Sequence, residues 1–252
     1  MCISPPIISV ITVNFNQAED LLKTIASVRA QKSHSEVNFI VIDGGSNDSS
    51  LDVISDNLDV IDYWVSEKDK GIYDAMNKGV YAASGEYLIF MNGGDVFADE
   101  LTCRHVLDAV DTNKMPSVIY GNYVQVRGNN EKIMRFAKDH NTLERCMFTC
   151  HQAIFFHRKC FSERCYSLDY PIAGDYEFCL YLYLNSHTFS KMQHFICEFD
   201  SGGVSDISRV ESIFEVISIL KRSNRLSVVN RIYLYYRIFR ESLVSQIKRI
   251  TK

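Results

Sequence analysis

Four apolar runs each end in side chains that can hold a nucleotide, a cation or a proton. The run over residues 7–14 delivers Thr12, Asn14 and Asn16, and that over 37–42 stops at Asp43. The run over 61–66 leads to Glu67 and Asp69, and that over 87–91 to Asn92 and Asp95. A carboxylate at Asp43 can accept hydrogen bonds from a base or a ribose, while Asp95 is placed to hold a hard divalent ion against phosphate oxygens. Asp and Asn beside Gly also form ordinary turns, so the weight lies on four runs sharing one kind of ending. No GxGxxG follows the first run and no GxxxxGK[ST] occurs, which argues against a dinucleotide-type glycine loop and a P-loop. Neither a GxSxG elbow nor an HExxH zinc helix is present. A phosphate-binding device built on an Asp-held metal ion fits what is left.

These residues need a scaffold that brings strand ends together. The β-branched run at 7–14 and the continuous apolar run at 37–42 suit strands buried on both faces, and 61–66 and 87–91 read as two more. Between them, Leu21, Leu22, Ile25 and Val28 recur at helical spacing, and residues 72–83 read as a helix. Ser46 or Asp48 can cap a helix carrying Leu51, Val53 and Ile54. This βαβαβαβ order predicts an open parallel sheet with helices on both faces, whose ligands bind beyond the carboxyl ends of the strands. The second half changes character. Residues 118–126 and 132–137 flank Gly128, Asn129 and Asn130 as an antiparallel hairpin; 153–156 is a strand, 175–184 a helix, and 189–199 a strand ending at Ser201, Gly202 and Gly203. No linker-like stretch separates the halves, so one continuous α/β domain with a mixed sheet is expected, followed by C-terminal helices.

The 252 residues are 46% hydrophobic and 23% charged, enough for a sizeable core. With 12 Gly, 4 Pro and no biased tract, fibrous and disordered classes are disfavoured, and no run of about 18 apolar residues offers a membrane span. No basic segment precedes the first apolar run, so it reads as a strand rather than a signal peptide, and a cytoplasmic location is expected. The eight cysteines form no CxxC pair and read as separate reduced thiols rather than a zinc site. Net charge is -4, yet residues 221–252 carry nine Lys/Arg against Glu241 alone, which leaves -12 on residues 1–220.

Seven blocks occur in order: ISVITVNFN (8–16), VIDGGSNDS (41–49), EKDKGIYDAMNKG (67–79), GEYLIFMNGGD (85–95), HQAIFF (151–156), AGDYEF (173–178) and GGVS (202–205). Together they resemble family 2 glycosyltransferases, and among these the bacterial enzymes that build O-antigen and colanic-acid repeat units. The resemblance covers about residues 7–206. It implies the GT-A fold, a Rossmann-like mixed sheet with helices on both faces, with a nucleotide-sugar donor, Mn2+ or Mg2+ as cofactor, and inversion at the anomeric carbon. The chain then divides into a donor-binding half over about 1–125, an acceptor-binding half over about 126–206, and basic amphipathic helices over 207–252.

Position by position, the resemblance implies that Asp43 contacts the uridine, that residues 12–16 line the nucleotide pocket, and that Asp69 lies on the donor side. Asp95 becomes the metal-binding acid of the motif usually written DxD. Asn92 and Gly94 stand where many relatives have carboxylates, so donor phosphates and water must complete the octahedron. Met76 stands where many relatives carry an arginine facing the diphosphate; Lys78 is either its replacement or a solvated surface lysine. Asp175 is the implied catalytic base, because in an inverting displacement one carboxylate removes the acceptor proton while the metal stabilises the departing diphosphate. An acid at that position also suits a helix N-terminus, and Glu177 is the second candidate base. His151 and Gln152 open a strand near the site, where they orient acceptor or donor phosphate, or serve as structural hydrogen-bonders. The loop around Gly203 either closes over substrate or simply turns the chain.

From Leu226 onward, Val229, Tyr233, Tyr236, Leu243, Ile247 and Ile250 recur at helical spacing with Arg240 as the interruption. Arg231, Arg237, Lys248, Arg249 and Lys252 fall opposite. Such a basic amphipathic helix suits a membrane interface, or packs on its own domain or on a second copy in a homodimer; nucleic acid fits poorly with an acidic body. The expected reaction is transfer of a hexose from UDP-glucose or UDP-galactose to a sugar on undecaprenyl diphosphate, at the cytoplasmic face of the inner membrane. A catalytically silent nucleotide-sugar-binding scaffold, and a same-fold transferase acting on teichoic acid or protein, stay open.

Overall fold

The alternating apolar runs and helical stripes fold in the order expected of them: β1 (Ile8–Asn14), α1 (Ala18–Lys32), β2 (Val37–Asp43), α2 (Ser50–Ser55), β3 (Tyr63–Ser66), α3 (Ile72–Ala82) and β4 (Tyr87–Phe90). The computed structural model describes residues 7–110, 114–128, 130–200 and 208–250. Next come β5 (Val96–Phe97), α4 (Thr102–Ala109), β6 (Val118–Arg127), β7 (Glu131–Arg135), β8 (Ile154–His157), α5 (Lys159–Glu163), α6 (Gly174–Leu184) and β9 (Phe189–Asp200). Helices α7 (Arg209–Arg222) and α8 (Val228–Ile250) follow. All strands share one sheet, ordered β3-β2-β1-β4-β8-β6-β9-β5 with β7 paired to β6. The first four strands are parallel, whereas β8 is antiparallel to both β4 and β6. This is the expected mixed α/β sheet with C-terminal helices.

Because helices cover both faces, β1 has no polar face: Ile8, Val10 and Ile11 are all fully buried. One face packs Ile11, Phe90, Phe156 and Phe178 with residues of α3, α6 and α7; the other packs Val10, Phe39 and Phe155 with α1 and α4.

Two sequence readings need correction. On α1 the buried stripe is Leu21, Thr24, Ile25 and Val28, while Leu22 is 49% exposed because it lies a quarter-turn off the packing face. His151 and Gln152 do not open β8; they form a 3-10 turn ahead of it, closed by the Ala153 N–H donating to Cys150 O at 3.1 Å. The apolar stripe of α8 faces outward: Val229, Tyr233, Tyr236 and Leu243 are exposed, and the helix buries Asn230 and Leu234. An ion pair of Arg209 with Glu241 at 3.4 Å joins α7 to α8 in that phase. Gly203, Lys252 and the side chains of residues 244–250 lie outside the described residues. No described helix is long and apolar enough to cross a membrane.

Helix α3 approaches β1 closely at Gly79, where an added Cβ would lie 2.4 Å from Ile11 Cγ2. Ile11 is fully buried and has nowhere to move. Alanine gains about 1 kcal/mol of helix propensity over glycine, but overpacking a tight core costs about 1–3 kcal/mol. Gly79→Ala is therefore expected to lower the urea unfolding midpoint; an unchanged or raised midpoint would show that α3 slides freely on β1.

Candidate active site

Strand β1 has β2 on one side and β4 on the other, so chain order reverses there and a crevice opens beyond the strand ends. Asn14 ends β1 and donates from Nδ2 to Asp43 Oδ1 at 2.8 Å. Asp43, fully buried, also accepts from Ser46 Oγ (2.5 Å), Ser46 N (2.8 Å), Gly45 N (3.1 Å) and Ser66 Oγ (2.6 Å). Burial pushes its pKa up, but the bonds from Ser46, Ser66 and Asn14 outweigh it and hold the carboxyl below its ordinary value. With both oxygens engaged and no exposed surface, Asp43 organises the loop at 43–47. Thr12 is likewise fully buried.

The carboxylate at the mouth of the crevice is Asp69. A Cβ on Gly44 would lie 2.5 Å from Asp69 Oδ2 and 3.3 Å from Phe15 Cδ2, so the missing side chain at Gly44 makes room for that carboxylate beside the Phe15 ring. Phe15 is 59% exposed, and sequence reading passed over it; its signal is a large apolar residue just past a buried strand. Asn16 adopts φ 52, which Asn tolerates, and its side chain accepts from Asn47 N at 2.8 Å. Lys78 is engaged by Glu67 at 2.8 Å and by Lys68 O at 3.2 Å, and Met76 is buried in the core.

Past β4 the chain turns through Gly94 at φ +97. Asp95 is buried, and its Oδ2 accepts from Asn92 N at 3.1 Å and from Gln152 Nε2 at 3.0 Å. Two amide oxygens border the same turn: Asn92 Oδ1 and Asn14 Oδ1 are buried without a hydrogen-bond partner among the described residues, and a Cβ on Gly93 would lie 3.3 Å from the latter. No group of three or more His, Cys, Asp or Glu able to hold a metal forms among the described residues. One carboxylate with neighbouring amide oxygens is still a hard-oxygen donor set.

Asp175 stands on the first turn of α6. Its Oδ1 accepts from Tyr73 OH at 3.1 Å and from Tyr176 N at 2.8 Å, and among the described residues no hydrogen bond reaches Oδ2. Gly174 is required for this arrangement, since a Cβ there would lie 2.8 Å from the Tyr73 ring. Burial, then the Asp175 charge, pushes the Tyr73 hydroxyl well above its ordinary pKa, so it remains a donor. Beneath it, Tyr166 lies 5.4 Å from Tyr73 between ring centroids, and its hydroxyl is 2.8 Å from His151 Nε2. His151 is buried and stacked on Phe90; burial lowers its pKa against the opposing pull of Asp175, which leaves the ring neutral at pH 7. Hydrogen bonds thus join Gln152 to Asp95, His151 to Tyr166 and Tyr73 to Asp175, with the Tyr166 and Tyr73 rings in contact. His151 supports the site from below. Glu177 points elsewhere, into an ion pair with Arg164 at 2.6 Å, and burial raises its pKa against that pairing. Tyr73 and Tyr166 were not singled out in the sequence, where they look like core aromatics.

The Glycosyl transferase family 2 pattern matches residues 9–166. An "uncharacterized glycosyltransferase" of Mycobacterium tuberculosis is 33% identical over 219 residues, spanning 84% of this chain and 81% of the relative. A "PGL/p-HBAD biosynthesis glycosyltransferase" of Mycobacterium bovis is 28% identical over 195 residues, 76% of this chain and 75% of that protein. Among solved structures, S. aureus TarS 1–349 in complex with UDP-GlcNAc has TM-score 0.68 at 14% identity, covering 84% of this chain and 66% of its own, just under two thirds. The mannosyltransferase PcManGT from Pyrobaculum calidifontis, in complex with GDP-Man and Mn2+, has TM-score 0.66 at 13% identity, covering 94% and 70%. At such identities the structural likeness is one of fold. The family match over more than half the chain, together with the 33% identical relative, decides the matter: this chain belongs to glycosyl transferase family 2 and carries the GT-A fold.

Proposed function

We propose that the protein is an inverting hexosyltransferase that moves a hexose from a UDP-sugar to a lipid-diphosphate-linked sugar, with Asp175 as the base. One observation carries this reading: Asp175 has Oδ1 fixed by Tyr73 and the Tyr176 N–H, with no hydrogen bond to Oδ2 among the described residues. A carboxylate held by one oxygen and open at the other is poised to take a hydroxyl proton. On the donor side the exposed Phe15 ring offers a stacking face for the base, and Asp69 beside it an acceptor for a pyrimidine N–H. The nucleotide sugars named with the two structural neighbours, UDP-GlcNAc and GDP-Man, support a nucleotide-sugar donor.

The divalent ion fits the oxygen set at the β4–β5 turn, where Asp95 with Asn92 Oδ1 would hold it. When bound it supplies charge neutralisation for the departing diphosphate. Gln152 keeps the Asp95 carboxylate oriented.

The lipid-linked acceptor is the reading that gives α8 a purpose. Val228, Val229, Ile232, Tyr236 and Phe239 are exposed alongside Arg231 and Arg240, a face suited to the interface of an anionic leaflet. Each Arg near such a surface adds about 1 kcal/mol.

Three outcomes are expected. Asp175→Asn cuts turnover by about 10²–10⁴-fold with donor affinity unchanged; loss of affinity and thermal stability together would remove the assignment. Asp95→Ala abolishes Mn2+-stimulated thermal stabilisation by UDP-glucose, and full retention would sink the ligand role. Co-sedimentation with phosphatidylglycerol vesicles, but not phosphatidylcholine vesicles, falls with added salt and with Tyr236→Ser/Phe239→Ser; equal binding by the double variant would send α8 to another partner.

A further inference from the structure

The turn that carries Asp175 lacks a cap of its own. Ala173 occupies the N-cap of α6 and makes no side-chain cap bond, although the first N–H groups of a helix need partners. A residue about forty positions away supplies an acceptor here. Glu215, in the middle of α7, accepts through Oε2 from Ile172 N at 3.0 Å and from Ala173 N at 2.7 Å. From the opposite side Tyr73 donates to Ile172 O at 3.0 Å and to Asp175 Oδ1 at 3.1 Å. The segment ahead of the base is therefore clamped between α7 and α3.

We propose that Glu215 is a positioning residue for Asp175: a capping carboxylate lent by the C-terminal helices that fixes residues 172–175 so that Asp175 Oδ2 meets the acceptor hydroxyl. This rests on the reading of Asp175 as the base. The clamp has a firm footing, because Ile213, Val216, Ile219 and Leu220 of α7 are buried in the same core cluster as Tyr176 and Phe178 of α6. It is also charge-assisted, and a carboxylate accepting two N–H groups orients more strongly than a neutral acceptor. A gap of about 1 Å between base and hydroxyl can cost about 10²-fold in rate. The base lies beyond the segment matched by the family pattern, which ends at residue 166, as does Glu215.

The test uses the full chain. UDP release from UDP-glucose with Mn2+ and no acceptor lets water stand in as nucleophile, and amide hydrogen exchange is followed by mass spectrometry over residues 168–178. Glu215→Ala is expected to lower kcat by about 10- to 100-fold, to leave the KM for UDP-glucose within about twofold, and to speed exchange at 172–176. Glu215→Gln, whose amide oxygen still accepts both N–H groups, is expected to restore most of the rate and the protection. Faster exchange with an unchanged kcat would make Glu215 a cap without a positioning role and overturn the proposal. So would unchanged exchange, or a KM that rises in step with the fall in kcat. Asp175→Asn runs alongside. If that variant keeps its rate, the base reading fails rather than the clamp; if the wild type releases no UDP, the donor reading fails. In both cases exchange decides the clamp, and unchanged protection in Glu215→Ala overturns it.

Discussion

A buried carboxylate without partners is worth several kcal/mol of destabilisation, and Asp43 is fully buried at the point where the parallel strands end. Its five hydrogen bonds come from β1, from the loop after β2 and from the end of β3. Satisfying that one charge therefore locks three strand ends to each other. The consequences propagate outward. With Ser46 drawn to Asp43, its Oγ also receives the Asn16 N–H at 2.8 Å, which sets the loop carrying Phe15. The crevice keeps its shape because a charge beneath it would otherwise be unpaid.

The surroundings of Asp175 are organised by a different medium. Tyr73, Tyr166, His151, Phe90 and Phe178 form a packed aromatic layer under Asp175. Burial there disfavours every ionised form except the one that has partners. Tyr73 and Tyr166 both keep their protons, since burial raises the hydroxyl pKa of each, and His151 stays neutral because burial lowers its pKa. The negative charge in that neighbourhood is left to Asp175, at the edge of the layer. Two sides of one crevice thus use opposite means: a saturated buried anion orders the loop after β2, and a neutral aromatic bed underlies Asp175.

What the sequence made legible follows from how locally each feature is encoded. Strands β1 to β4 and helices α1 and α3 each carry one strong period, and they formed where the pattern put them. Strand β5 spans two residues and α4 buries only Thr102, Cys103 and Val106, too little for a period to register. Asp95 and Asp175 stand out in the sequence through the blocks that hold them, and the structure sets one in the turn after β4 and the other on the first turn of α6. Asp43 was readable as a polar residue at a strand end, but its role turns on whether its oxygens are already satisfied, and Ser66 contributes to that from 23 positions away. Glu215 left no trace, since its partners are backbone N–H groups, which every residue but proline has.

The phase of α8 is tied to its tertiary packing on α7. Turning the apolar stripe inward would bury Val229, Tyr233 and Tyr236, a gain of about 25 cal/mol for each Å2 removed from water. It would also swing Leu234 outward, away from the core cluster it shares with α7, and pull Glu241 from between Arg209 and Arg240. The observed phase keeps those contacts and leaves a row of aromatic and aliphatic side chains in water. Helix α7 is itself anchored in the core through Ile213, Ile219 and Leu220. The same anchorage holds Glu215 against the N–H groups of Ile172 and Ala173. One pair of helices therefore faces two ways, its inner side tied to the segment that carries Asp175 and its outer side left in water.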